Sequence, residues 1–142
     1  MGMGSAIGID HGSKRTGFAV ADPLRITCGP LDTFEGEPAE LLDHIADLLE
    51  ERTVATFVIG LPLNMDGSEG PRSAEVRAFG TALKARFSGV AVAFQDERLS
   101  TKVAEELLRE GGYRPRDRKA SRDGMSAFVI LRDWIEAGEP QG

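Results

Sequence analysis

Three acids and several cations in this chain have the types and spacing for chemistry on a phosphate. Asp10 closes the apolar run Ala6–Asp10 and leads into His11-Gly-Ser-Lys-Arg15. Strand alternation puts Ile7 and Ile9 on one face, with Ala6, Gly8 and Asp10 on the other. Gly8 and Gly12 remove bulk on both sides of the acid, and Ser13, Lys14 and Arg15 add a hydroxyl and two cations beside it. A carboxylate held on a strand among open space and phosphate-seeking groups suits a metal ion that must meet a phosphate. Taken alone, the same residues also make an ordinary β-hairpin turn with solvated charges.

A second acid stands in Asp96-Glu97-Arg98-Leu99-Ser100-Thr101. Alternation along Val90–Gln95 groups Val92, Phe94 and Asp96 on a bulky face, and Ala91, Ala93, Gln95 and Glu97 on a small one. The bulky face should pack under a helix, which favours Glu97 for an open site; Asp96 stands as the alternative and could instead cap the next helix or pair with Arg98. The third acid is Asp123, at the start of a helix whose stripe is Ala127, Ile130, Leu131 and Trp134. Its competing role is to complement the helix dipole. Neither His11 nor His44 has a Ser or Cys partner in motif context. His44 is expected on the solvated side of a helix, and His11 reads as a turn residue.

These acids need a frame. Strand-like runs at Ala6–Asp10, Thr16–Ala21 and about Ile26–Thr33 are joined by turns too short for a parallel crossover, so they form an antiparallel meander. Pro38 opens a helix with Leu41, Leu42, Ile45, Leu48 and Leu49 along one face. Thr56–Leu61 reads as a buried central strand, ended by Pro62 and followed by the polar loop Asn64–Pro71. A helix carrying Val76, Phe79, Leu83 and Phe87 leads to the fifth strand, and a helix with Val103, Ala104, Leu107 and Leu108 follows it. Arg109–Arg122, with Gly111-Gly112 and Pro115, reads as a basic loop before a last helix from about Arg122 to Glu136. The order is an α/β sheet between helices, in which ligands sit beyond the carboxyl ends of the parallel strands. Asp10, the Asn64 loop and Asp96-Glu97 all reach that edge.

Composition sets the outer limits. The chain has 142 residues, 41% apolar and 28% charged, which suits one domain over residues 1–142. No apolar run approaches the roughly 20 residues of a membrane span, and Met1–Ser5 lacks the charged start of a secretory signal. The lone Cys28 can form no internal disulfide, and a cytoplasmic location is expected. The net charge is −6, yet Arg109–Arg122 holds six bases against two acids, or +4, leaving −10 elsewhere. Arg114, Arg116, Arg118 and Lys119 in that stretch could neutralise several phosphates, or simply keep a solvated loop soluble.

Gly8-Ile-Asp-His-Gly-Ser-Lys-Arg-Thr-Gly17, Gly60-Leu-Pro-Leu-Asn-Met-Asp-Gly-Ser68, Asp96-Glu-Arg-Leu-Ser-Thr101 and Arg122-Asp-Gly-Met-Ser-Ala127 together resemble the YqgF-type family. Its members are small bacterial nucleases of the ribonuclease H-like superfamily, named as pre-16S rRNA nucleases and Holliday-junction resolvase homologues. The resemblance covers roughly residues 5 to 137. It implies a ribonuclease H-like five-stranded mixed sheet flanked by helices, with Asp10, Glu97 and Asp123 holding the metal. Classical junction resolvases of the superfamily carry their second acid on strand four; here that place is Gly60-Leu61-Pro62-Leu63, and the role moves to the end of strand five. Gly124 stands where relatives often carry Lys.

Three acids without a paired nucleophile point to oxygen-ligated Mg²⁺ or Mn²⁺, as two ions, serving an endonuclease. Lys14, Arg15, Arg72 and Arg98 are expected on flanking phosphates. The substrate is nucleic acid, either pre-16S rRNA or branched DNA; the junction would ask for a homodimer with two symmetric sites. Two other classes stay open: a non-catalytic nucleic-acid or ribosome-associated factor, and an actin-like ATP-binding domain, suggested by the Asp10-x-Gly12-Ser13 turn.

Overall fold

The structure, a computed structural model, describes residues 4–98, 100–111 and 115–140, without the side chains of 100, 101 and 115–122. Strands β1 (Ser5–His11), β2 (Arg15–Ala21) and β3 (Cys28–Glu35) precede helix α1 (Pro38–Glu50). Then come β4 (Val54–Leu61), α2 (Pro71–Arg86), β5 (Ala91–Asp96), α3 (Ser100–Glu110) and α4 (Pro115–Glu136). The sheet order is β3-β2-β1-β4-β5. β1 pairs antiparallel with β2, and β2 with β3, whereas β4 runs parallel to both β1 and β5. A meander followed by parallel crossovers is the order the sequence predicts.

The two faces of the sheet differ in bulk. Ile7, Ile9, Phe18, Phe57, Ile59 and Leu61 pack with Leu41, Ile45 and Leu48 of α1 and Val76 and Leu83 of α2. On the other face Ala6, Ala19, Ala21, Val58 and Ala93 meet Ala127, Ile130, Leu131 and Trp134 of α4. Small residues there let α4 lie almost on the backbone. A Cβ at Gly8 would come within 2.7 Å of the Ala127 carbonyl and 2.8 Å of Leu131 Cβ. This close seating of α4 governs where Asp123, one turn before Ala127, meets the sheet.

Three sequence expectations change. The third strand starts at Cys28, two residues later than expected, because Asp22 organises the preceding turn. Its carboxylate accepts from the Thr27 N–H at 2.6 Å, the Thr27 hydroxyl at 3.1 Å and the Leu24 N–H at 3.2 Å, so Ile26 stays in the turn, 77% exposed. The basic stretch is largely helix, since α4 begins at Pro115 rather than near Arg122. Proline is well suited to a first helical position, and the arginines, lysine and alanine behind it are good helix formers. His44 is not simply solvated. Its ring lies 4.9 Å from Phe34 and 5.4 Å from Phe18, and Nε2 is 2.7 Å from Asp32 Oδ2. That contact is ionic in distance but not aligned as a hydrogen bond.

Candidate nucleic-acid site at the carboxyl edge of the sheet

Asp10 lies opposite Gly17 in the β1–β2 register, and both share the α4 face by alternation with Gly8. Gly17 is the place where α4 touches down: a Cβ there would fall 2.2 Å from the Asp123 carbonyl oxygen and 2.9 Å from Asp123 Cβ. No side chain fits in that gap. The glycine therefore brings Asp123 onto the strand next to Asp10. Since α4 begins at Pro115, Asp123 is the ninth residue of the helix and not at its start, as the sequence suggested. It therefore lies too far in to complement the dipole.

Glu97 arrives from the other side. Its N–H donates to the Leu61 carbonyl at 3.2 Å, which extends the β4–β5 ladder by one residue and directs the side chain back over β4. A Cβ at Gly60 would stand 2.9 Å from both Glu97 Cδ and Oε2. Gly60 follows Ile59, the last β4 residue paired with β1, as Asp10 follows its partner Ile9. Glu97 thus sits above β4, Asp10 on β1, and Asp123 against β2, on three adjacent strands. Strands roughly 4.8 Å apart spread such a row over about 10 Å. Among the described residues, no three His, Cys, Asp or Glu side chains stand close enough to form a metal cage.

Asp123 is engaged by a cation. Arg15 Nε lies 3.0 Å from its Oδ2, with the two side chains 34% and 18% exposed. Both line a cleft of about 320 Å³ with Gly12, Ser13, Lys14 and Glu35. Glu35 carries no motif signal of its own. It faces Arg15 across the β2–β3 register, and only a third strand extended to residue 35 reveals that.

Asp96 is occupied elsewhere. It accepts from the Arg98 backbone N–H at 2.9 Å and from Arg98 Nε at 2.9 Å, and its other contact with that guanidinium is 2.7 Å. Hydrogen bonding from Arg98 holds its carboxyl below the usual range. Arg98 also donates to the Met65 carbonyl at 3.1 Å, tying the Asn64 loop to the end of β5. Arg72 has a similar anchoring geometry: it pairs with Glu75 and donates to the His11 carbonyl at 2.8 Å. His11 stacks on Phe79 with ring centroids 4.1 Å apart and planes 5° from parallel. Burial, reinforced by nearby Arg72, lowers its pKa. Arg15, Arg72 and Arg98, the three guanidinium groups expected on flanking phosphates, therefore all have protein partners.

A Cβ at Gly124 would stand 3.4 Å from the Leu31 carbonyl oxygen and from Pro30 Cβ, so a side chain there points at β3. Arg114 lies outside the described residues, as do the side chains of Arg116, Arg118 and Lys119.

The meander, the two parallel crossovers and the acids at the strand ends define the ribonuclease H-like class of α/β fold. The sequence matches the RuvX family, described as "Holliday junction resolvase", over residues 4–137. It is 42% identical over 134 residues to a "Putative pre-16S rRNA nuclease" of Lactococcus lactis subsp. cremoris (strain MG1363), covering 92% of this chain and 93% of that protein. A protein of the same description from Anaeromyxobacter sp. (strain Fw109-5) is 45% identical over 131 residues, covering 92% and 95%. Among solved structures, T. thermophilus RuvC in complex with a Holliday junction substrate superposes with a TM-score of 0.60 at 15% identity, covering 96% of this chain and 98% of that one. That last likeness is one of fold. The chain belongs to the RuvX family.

Proposed function

We propose that this chain, as one nuclease domain, is a divalent-metal-dependent endonuclease that hydrolyses phosphodiester bonds in structured nucleic acid. Its two candidate substrates are the 5′ end of pre-16S rRNA, named for relatives at 42% and 45% identity, and the Holliday junction, named for the family. The observation that carries the reading is the Glu97 carboxylate reaching over Gly60. It supplies an acid above strand four although that strand has none of its own.

The donor atoms of the three acids suit a hard cation. Asp10, Glu97 and Asp123 offer only carboxylate oxygens, the donor type of Mg²⁺ and Mn²⁺, and the side chains missing at Gly17 and Gly60 leave the places that Asp123 and Glu97 occupy. When bound, two such ions would activate the attacking water and stabilise the leaving 3′ oxygen, giving a 5′-phosphate and a 3′-hydroxyl. The protein's own part is to hold the strand. Ser13, Lys14 and Arg15 line the cleft beside Asp123 and would take the phosphate next to the scissile one. Arg98 and Arg72 hold the Asn64 loop and the start of α2 against the site, and from there their exposed edges reach a flanking phosphate. The reading includes a cytoplasmic setting, and for the junction a homodimer that pairs two sites. Among the described residues, no helix is long and apolar enough to cross a membrane.

Asp10→Asn tests the mechanism. The change removes one carboxylate donor at nearly constant size, so metal affinity should fall. Cleavage by folded protein should be abolished in Mg²⁺ and Mn²⁺. Near wild-type cleavage by this variant would sink the metal mechanism. Parallel assays of wild type on a four-way junction and a precursor-rRNA fragment, under identical conditions, choose the substrate.

A further inference from the structure

We infer that Arg15 couples substrate binding to metal binding: its ion pair with Asp123 and its contact with a substrate phosphate exclude each other, so an incoming phosphate releases Asp123 to the divalent ion. This rests on the proposed function, in which Asp123 is a metal ligand and the adjacent cleft takes a phosphate.

The geometry decides which partner moves. Asp123 is fixed by its own backbone, wedged against Gly17, and its side chain is only 18% exposed. Arg15 is held by its backbone at the start of β2, and its long, flexible side chain is 34% exposed in an open cleft of about 320 Å³ with Ser13 and Lys14 on its walls. The guanidinium can therefore turn while the carboxylate stays. Its planar fork matches phosphate as well as carboxylate. An ion pair this accessible to water is weakly held, so exchanging one anion for another is inexpensive. Glu35, opposite Arg15 in the β2–β3 register, lies on the same cleft and keeps the cation close to the site while it changes partner.

Before substrate arrives, the cation occupies a carboxylate that the metal needs, which lowers metal affinity. After phosphate binds, that competition ends. By linkage the metal must tighten nucleic-acid binding by the same factor. Arg15 is in this respect a positioning residue, acting on the metal through Asp123.

Two measurements test the coupling without reading turnover. In the first, Mn²⁺ binding to wild type and Arg15→Gln is titrated by electron paramagnetic resonance, with and without a short DNA oligonucleotide that remains uncut. Without oligonucleotide, Arg15→Gln should bind Mn²⁺ more tightly than wild type, by up to about fivefold. The oligonucleotide should tighten Mn²⁺ binding more in wild type than in the variant. In the second, a labelled oligonucleotide is titrated by fluorescence anisotropy in EDTA. Asp123→Asn should bind it more tightly than wild type, and by more than the same change adds in an Arg15→Gln background. Equal Mn²⁺ affinity in wild type and Arg15→Gln, or the same gain from Asp123→Asn in both backgrounds, overturns the coupling. Mn²⁺ binding that needs Asp10 but ignores Arg15 leaves the nuclease reading standing and removes only the coupling. No Mn²⁺ binding by any of the proteins removes both.

Discussion

Gly60 and Glu97 share one volume: the side chain that the strand lacks leaves the place taken by the carboxylate. A methyl group at Gly60 would sit 2.5 Å from Ile130 Cδ1 and 2.9 Å from Glu97 Cδ and Oε2. All of these atoms end flexible side chains, so the backbone can stay and the carboxylate must move. Gly60→Ala should therefore cost about 1–3 kcal/mol of stability, as small overpacked sites do. A displacement approaching 1 Å at a positioned group can cost about 100-fold in rate, so cleavage by the folded variant should fall by up to that factor. Thermal melts beside single-turnover cleavage check this. A fully active Gly60→Ala protein would mean that the seat of Glu97 over β4 is unimportant to the reaction.

Among the elements, the start of α4 joins the site to the basic stretch. Four of the six bases between Arg109 and Arg122, namely Arg116, Arg118, Lys119 and Arg122, fall in the first eight residues of that helix. Cations at a helix N-terminus oppose its dipole, an arrangement that a bound phosphate would relieve. Replacing Arg114, Arg116, Arg118 and Lys119 by Ala should weaken nucleic-acid binding about equally across sequences. It should also flatten the dependence of log K on log salt, by roughly 0.7–0.9 for every phosphate the variant no longer neutralises. Because the basic segment is helical from Pro115, little of the binding free energy should go into ordering it. Fluorescence anisotropy from low to moderate salt measures the slope. An unchanged slope would move the binding face elsewhere.

Over the full chain, Arg25 ties together parts that are distant in sequence. It donates to the Gly4 carbonyl at 3.0 Å, the Asp22 carbonyl at 2.9 Å and the Glu139 carboxylate at 2.9 and 3.2 Å. Its backbone has φ 59°, a left-handed conformation that costs a residue with a Cβ roughly 1–2 kcal/mol. The hydrogen bonds offset that strain. Arg25→Ala keeps the strain, loses the ties and leaves the half-buried Glu139 without its partner, so a loss of about 3 kcal/mol is expected. Arg25→Gly loses the same ties but accepts the backbone angle, and should be less destabilised than Arg25→Ala. Denaturant melts of the two variants give the comparison. Equal losses would show that the turn relaxes once the side chain is gone. Neither change should alter cleavage of folded protein, since the clamp stands at the opposite end of β2 from Arg15.

The meander, the crossovers and the strand ends at which Asp10 and Asp96-Glu97 arrive are legible in the amino-acid order, because period-two runs, short turns and Pro62 are local signals. The start of α4 reads as loop from the same order because glycine and proline mark both turns and helix ends; only backbone hydrogen bonding assigns Pro115 to the first turn. His44 reads as solvated because its surroundings, Phe18, Phe34 and Asp32, come from two strands outside α1. Strand parity ranks Glu97 above Asp96 but does not show Asp96 taken up by Arg98, since the strand is already ending there. How closely α4 approaches the sheet is settled in three dimensions alone. That distance is set by glycines whose missing side chains make room across elements, Gly17 for Asp123 and Gly60 for Glu97. A sequence pattern records that a glycine is small; it does not record what occupies the space the glycine leaves.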